Sequence, residues 1–330
     1  MKLTRLGTTG LKVSRMCMGT MTFGGQTDEP GAFAILDAAV EAGVNFIDVA
    51  NVYPMGSDGE LRGETERIVG RWLKGKRHKY ILTTKGSSPM GRLPWQTGNS
   101  RKHLLDAIDA SLKRLDTDYV DLYQLHRDDP DTTIDETMEA LDTIVKSGRA
   151  RYVGVSNWTA WRIARALGRS EALGVAKIAT VQPRYNLLFR QFERDIFPMC
   201  QENGLGTLCY NPLAGGMLTG KHKDPASPAA TSRFAEGGAG RMYKDRYWHE
   251  REFDAIAKLS AIADEAGIPL LRLSLAWVMA QPGVTCAILG ASRVAQMPDL
   301  FAANEVTLDA GLLARLDEVT REFRMGDALR

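Results

Sequence analysis

The chain has 330 residues, 44% of them hydrophobic and 25% charged, a balance that excludes wholesale disorder. Lys plus Arg number 42 against 40 Asp plus Glu, a net charge of +2, so no global field draws the chain to nucleic acid or anionic lipid. No apolar run reaches the ~18 residues of a membrane span, the opening MKLTRLGTTG lacks a signal core, and the scattered cysteines (Cys17, Cys200, Cys209, Cys286) form no CxxC pair. They read as reduced, buried thiols of a cytosolic protein without a membrane partner.

The first element, KLTRLGTTGLKVS, has a glycine-containing turn between two short extended runs and reads as a hairpin plugging the bottom of whatever follows. Strands are predicted at Arg15–Met18, Asn45–Asp48, Tyr80–Lys85, Val120–Leu125, Tyr152–Ser156, Ala179–Gln182, Thr207–Tyr210 and Cys286–Leu289. Helical patterns lie between them at Gly31–Glu41, Glu66–Leu73, Arg101–Arg114, Ile134–Ser147, Ala160–Leu167 and Gln191–Glu202. Leu270–Ala280, the longest greasy stretch, reads as a buried helix. Strands each followed by a helical region fit a (β/α)8 TIM barrel better than an open sheet, and residues 1–330 read as one domain. The rhythm breaks after the seventh strand, where Gly215 to Tyr247 is predicted as a long loop. It contains Gly216, Gly220, Gly237, Gly238, Gly240, Pro225 and Pro228 beside Lys221, Lys223, Arg233, Arg241, Lys244 and Arg246. Loops of that length are usually functional or disordered.

Chemistry in such a barrel is done where the strands end. Those ends read Asp48, with Tyr53 in the loop after it, then Lys85, His126, Ser156-Asn157, Gln182 and Tyr210-Asn211. Singly, Asp48 reads as a helix cap, Tyr53 as a loop tyrosine, Lys85 as a surface lysine and His126 as a structural histidine. Together they form apparatus for protonating an alkoxide as hydride reaches a carbonyl carbon. A tyrosine is a poor acid alone; a neighbouring ammonium stabilises its phenolate, and a carboxylate holds the ammonium. An imidazole beside the phenol orients the carbonyl oxygen. The five histidines show no HxH or HExxH spacing, so no metal is expected. A barrel glycosidase would need two opposed carboxylates where the strand ends offer mainly Asp48, and an aldolase would use Lys85 as a Schiff base.

The motifs resemble the aldo-keto reductases from Arg5 to about Ala302. Arg5-Leu6-Gly7, Gly10-Leu11-Lys12-Val13-Ser14 and Gly19-Thr20-Met21 resemble the family's opening, and Phe46 to Tyr53 (FIDVANVY) resembles its DTAxxY segment, with Val49 where threonine is usual. Leu82-Thr83-Thr84-Lys85, Gln124-Leu125-His126, Gly154-Val155-Ser156-Asn157 and Gln182-Pro183 continue the likeness in order. The long seventh loop most resembles bacterial reductases related to potassium-channel β subunits.

The resemblance implies an NADPH-dependent reductase of an aldehyde or ketone, of the alcohol dehydrogenase (NADP+) type, in a barrel without a Rossmann fold. Tyr53 would be the general acid, Lys85 and Asp48 its activating pair, and His126 the substrate-orienting residue. Gly19, Thr20, Met21 and Asp48 would lie against the cofactor. Ser156, Asn157 and Gln182 would hydrogen-bond the carboxamide, and Tyr210 would stack on the nicotinamide, covering one face. Asn211, Pro212, Leu213, Ala214, Gly216 and Leu218 would form the pyrophosphate cradle with Lys221 and Arg233 or Arg241. Gly290, Ser292, Arg293 and Gln296 resemble the adenosine-phosphate segment, where Arg293 suits a 2′-phosphate and favours NADPH over NADH. Leu300 stands where relatives carry an asparagine toward adenine. The mouth is expected to be walled by Phe23, Trp95 and Trp158 with Met21 and Tyr185, near Arg127 and Arg184, suiting a carbonyl compound with an apolar body. The alternative is an NADPH-binding, redox-sensing interaction subunit with slow turnover, against which His126 speaks, since channel subunits resembling this chain carry asparagine there. A homo-oligomer is compatible with either.

Overall fold

The computed structural model describes residues 1–55, 59–222, 225–226, 228, 232–235 and 240–326. Lys223, Gly237 and Gly238 of the long seventh loop lie outside them. Leu3–Arg5 (β1) and Lys12–Ser14 (β2) pair antiparallel, with Leu3 opposite Ser14. The hairpin turn packs hard against the main chain. A Cβ on Gly7, which sits at φ +58°, would lie 2.4 Å from the carbonyl oxygen of Gly204, so only glycine fits. Leu6 and Val13 join Cys17, Phe46, Ile81, Leu122, Leu208 and Cys286 in one buried cluster, so the hairpin closes the barrel floor.

Eight parallel strands follow: β3 (Met16–Gly19), β4 (Phe46–Asp48), β5 (Ile81–Gly86), β6 (Val120–Leu125), β7 (Ala150–Ser156), β8 (Ile178–Gln182), β9 (Gly206–Cys209) and β10 (Cys286–Gly290). They pair in chain order, and β10 returns to β3, closing the barrel. This is the expected (β/α)8 architecture with its N-terminal hairpin. The flanking helices are α1 (Glu29–Glu41), α2 (Glu64–Leu73), α3 (Arg101–Leu115), α4 (Ile134–Lys146), α5 (Ala160–Leu173) and α6 (Ile196–Glu202). They continue with α7 (Gly240–Tyr247), α8 (Glu250–Glu265), α9 (Leu270–Ala280), α10 (Met297–Ala302) and α11 (Ala310–Thr320). Local chemistry fixes several starts: the side chains of Asp28, Ser100 and Thr133 each accept a backbone N–H from the first turn of α1, α3 and α4.

Two expectations need correction. The helix predicted over Gln191–Glu202 is a 3₁₀ turn at Gln191–Glu193 followed by α6, because the Asp195 side chain caps Ile196 N at 2.6 Å and starts a new helix there. The predicted loop from Gly215 to Tyr247 holds regular structure at both ends. Its start is a 3₁₀ segment, Ala214–Thr219, broken by the positive φ of Gly215 and Gly216, and its end is α7. Phe234, Tyr243 and Trp248 pack edge-on or tilted in one aromatic group with His222. Sequence periodicity is silent about such a cluster because its members come from separate short pieces. All four cysteines are buried and unpaired, and no helix among the described residues is long and apolar enough to cross a membrane.

Candidate active site

Barrel register brings the expected residues to one end. Gly290 pairs with Gly19, Gly19 with Asp48, Lys85 with Gln124, Gly86 with Leu125, and Ser156 with Gln182. Of these strand ends Gly19, Asp48, Ser156, Gln182 and Gly290 line a cleft of about 910 Å³ that also contains Thr20, Met21, Tyr53, His126, Asn157, Tyr210, Asn211, Pro212, Leu213, Gly216, Lys221, Arg233, Ser292, Arg293 and Gln296, while Lys85 lies buried behind Asp48 and Tyr53.

Lys85 is wholly buried at the centre. Its Nζ donates to Asp48 Oδ2 at 2.6 Å, to the Val49 carbonyl at 2.8 Å and to the Tyr53 hydroxyl at 3.3 Å. Gln182 Nε2 donates to the other oxygen, Asp48 Oδ1, at 3.0 Å, so the carboxylate is fixed from two strands. The rings of Tyr53 and His126 meet edge-to-face with centroids 5.8 Å apart, and Ser88 Oγ lies 3.4 Å from His126 Nδ1. Burial pulls the Lys85 ammonium down, but Asp48 and Tyr53 outweigh it and raise its pKa, so Lys85 stays charged. Burial pushes the Tyr53 phenol up; Lys85 pulls it back and Asp48 pushes it up again. The net direction is upward. A lysine that merely eases phenolate formation is therefore only half of the electrostatics, since desolvation keeps the phenol protonated until something receives the proton. His126 is held well below its ordinary value by burial, then by Lys85 and Arg127, so its imidazole is neutral at pH 7.

Beside this group a hydrogen-bonded shelf crosses three strand ends. Ser156 Oγ donates to the Gln182 carbonyl at 2.8 Å, Asn157 Nδ2 to the His126 carbonyl at 2.9 Å, and the Tyr210 hydroxyl to Asn157 Oδ1 at 2.9 Å. Asn157 and Asn211 take left-handed conformations, at φ 59° and 61°, which asparagine tolerates better than most residues. Asn211 Oδ1 accepts from Gly215 N at 2.7 Å and fixes the following turn.

The cleft's other end is cationic. Among the described residues no carboxylate lies in ion-pair range of Lys221, Arg233 or Arg293, and burial, then Arg233 and Arg293, lower the Lys221 pKa. A Cβ on Gly290 would lie 3.1 Å from the Arg233 guanidinium, so the glycine leaves that group its place. Gln296 Oε1 accepts from the backbone N–H groups of Ser292 and Arg293 at 2.8 and 3.1 Å, shaping a tight turn. Clustered cations without counter-charges are a donor set for phosphates, and the residues present fit a dinucleotide's pyrophosphate and a further phosphate. At the far end Leu300 lines the cleft as an apolar surface, and Asp299 is engaged by Arg272 at 2.6 Å.

Not every expected residue reaches the cleft. Ala214 and Leu218 are wholly buried beneath the turn that carries Gly216. Phe23 and Tyr185 belong to the hydrophobic core, Trp95 is 51% exposed outside the cleft, and Trp158 and Arg184 line a smaller neighbouring cavity. The mouth is lined instead by Gln26, Val52, Pro54, Met55, Arg62, Ser88, Pro89 and Arg127, with Met242 and Tyr243 from α7. Arg62 and Ser88 belong to none of the sequence motifs that mark the site. The extension of β5 to Gly86 carries Ser88 to the mouth, and a polar residue just past a strand end is the signal that identifies it.

The closed barrel gathers this constellation at one end, as in barrel enzymes generally. Residues 15–321 match the model of the Aldo/keto reductase family, and the chain belongs to that family. Similar proteins include the uncharacterized oxidoreductase YrpG of Bacillus subtilis, 37% identical over 97% of this chain and 96% of its own. A probable voltage-gated potassium channel subunit beta of Arabidopsis thaliana is 37% identical over 93% and 92%. The L-glyceraldehyde 3-phosphate reductase of Escherichia coli is 32% identical over 94% and 90%. Oxidoreduction of carbonyl groups with a nicotinamide cofactor is the family's general chemistry.

Proposed function

We propose that the protein is an NADPH-dependent reductase of aldehydes or ketones. The observation that carries the reading is the buried chain Asp48–Lys85–Tyr53, with His126 edge-on to the phenol, at a cleft whose other end gathers cations that have no carboxylate partner among the described residues. The reduced nicotinamide, when bound, supplies hydride to the carbonyl carbon. Tyr53 holds a proton at its phenol oxygen and gives it to the carbonyl oxygen as charge develops there. Lys85 then faces the phenolate at 3.3 Å and stabilises it, while Asp48 keeps the ammonium in place. With Nδ1 turned to Ser88, His126 has Nε2 left for the carbonyl oxygen, and its neutrality lets it donate without competing for the acid's proton. Ser156, Asn157 and Gln182 suit the carboxamide, and Tyr210 the ring face. Lys221 and Arg233 suit the pyrophosphate, with Ser292 and Arg293 toward a 2′-phosphate, which favours NADPH.

The test mixes the protein with NADPH and a panel of aldehydes and ketones and follows the nicotinamide absorbance. Carbonyl-dependent oxidation is expected; absence of both nucleotide binding and turnover overturns the reading. The name of the plant relative favours a second reading, a nucleotide-binding interaction subunit. A co-purifying membrane partner together with negligible turnover on every carbonyl would establish that instead.

A further inference from the structure

Two arginines share the cleft with Tyr53 and His126, and neither has a carboxylate partner among the described residues. Arg127 follows His126 directly and its charge acts on the imidazole; Arg62 precedes Gly63, whose N–H donates to the Tyr53 carbonyl at 3.0 Å. Both line the cleft. Arg67, Arg71, Arg114 and Arg162, close to them in the fold, each have a carboxylate partner. Three acids close to them in sequence are engaged elsewhere. Asp128 holds Arg162 Nε at 2.8 Å, and Asp129 accepts from Asn99 N at 2.7 Å and Thr132 Oγ1 at 2.6 Å. Glu64 is taken by Arg67 at 3.2 Å and Arg71 at 3.1 Å. The cleft's acids are equally committed, Asp48 to Lys85 and Gln182, and Asp299 to Arg272. Among the described residues these five carboxylates are thus engaged away from the two guanidinium groups, and Phe23, Trp95, Trp158 and Tyr185, expected as the wall there, lie elsewhere.

From this placement we propose that the substrate is a carbonyl compound carrying an anionic group, phosphate or carboxylate, which Arg62 and Arg127 receive while the carbonyl faces Tyr53 and His126. The proposal rests on the carbonyl-reductase reading and names its substrate class. A guanidinium matches either anion in a fork of two hydrogen bonds, and small apolar surfaces from Val52, Pro54 and Met55 leave room for a short chain between the two ends.

The experiment compares kcat/KM at saturating NADPH for matched pairs: glyceraldehyde with glyceraldehyde 3-phosphate, and benzaldehyde with 4-carboxybenzaldehyde. The two pairs separate phosphate from carboxylate. The charged member of at least one pair is expected to be preferred by about tenfold or more, the preference falling as salt is raised. Arg62→Ala and Arg127→Ala should each cut the charged-to-neutral ratio by roughly tenfold, and the Lys variants by less. A ratio taken within one preparation does not depend on the folded fraction, so a poorly folding variant still reports. If the wild type reduces neutral aldehydes and neither charged partner is preferred, or the ratio ignores both arginines, the anionic-substrate proposal is overturned while the reductase reading stands. If no aldehyde of either kind is reduced, both fall.

Discussion

Lys85→Met removes one charge and little volume from the centre of the barrel. Lys85 has no exposed surface, and Asp48, 3% exposed, would keep the Gln182 amide at 3.0 Å as its side-chain partner but lose the ammonium at 2.6 Å. Deleting one member of a buried ion pair costs about 3–5 kcal/mol, because the remaining charge is desolvated without compensation. Methionine fills nearly the same space, so a cavity adds little. In urea unfolding at pH 7, with a slope of about 3 kcal/mol per molar, the midpoint should fall by roughly 1–1.7 M. Adding Asp48→Asn to the variant should restore part of the loss, since no charge is then stranded. The pH dependence has a definite sign. The folded Lys85 pKa lies above its unfolded value of 10.5, so its stabilisation is complete below that pH and is lost as pH rises through the folded value. The deficit should therefore be the same at pH 7 and pH 9. A variant within about 0.5 kcal/mol of the wild type at pH 7 would refute the reasoning, because that is the scale of surface substitutions.

Burial holds His222 at about 4 against an unfolded 6.5, so stability is full above pH 6.5 and falls as the pH drops toward 4. Moving from pH 7 to 5 should cost about 2 kcal/mol through this group, and His222→Phe, surrounded by Phe234 and Trp248, should lose less; equal losses in urea titrations would contradict it. Gly86→Ala would put a Cβ 2.0 Å from the Tyr123 hydroxyl, one residue beyond Lys85, so it should lower both the melting temperature and the turnover. Tyr123→Phe removes that hydroxyl, which is buried with no hydrogen-bond partner among the described residues, and should relieve much of the effect in the double variant, whereas an additive outcome counts against the clash. Arg293→Ala should weaken NADPH by on the order of tenfold and NADH little; fluorescence titration with both nucleotides checks this, and equal weakening removes the 2′-phosphate assignment.

Much of this was legible in the residues. The strand pattern alone carries the barrel, because buried parallel strands are short apolar runs with punctuated ends, and those ends mark the mouth. Asp48, Lys85 and Gln182 fall together because register leaves them no other place. Tyr53 needed more: it sits in a loop, and its approach to Lys85 depends on how that loop folds back. The mouth was the hardest part. Aromatic residues in loops read as walls, yet Phe23 and Tyr185 gain more by entering the core, where large aromatics bury the most apolar surface. Arg127 was legible as a residue near the mouth, but Arg62 was not, and the engagement of Asp128, Asp129 and Glu64 by other partners involves long-range contacts that no local pattern encodes.

The account turns on which group delivers the proton, and single-turnover reduction by Tyr53→Phe with NADPH and a good carbonyl substrate tests that most directly. The substitution removes the hydroxyl at 3.3 Å from Lys85 and leaves the Lys85–Asp48 pair in place, so folding and nucleotide binding should survive. The chemical step should slow by about 10²–10⁴-fold. A folded, NADPH-binding Tyr53→Phe protein that reduces the carbonyl at close to the wild-type chemical rate would contradict the account, both in the acid's identity and in the neutral, merely orienting role given to His126.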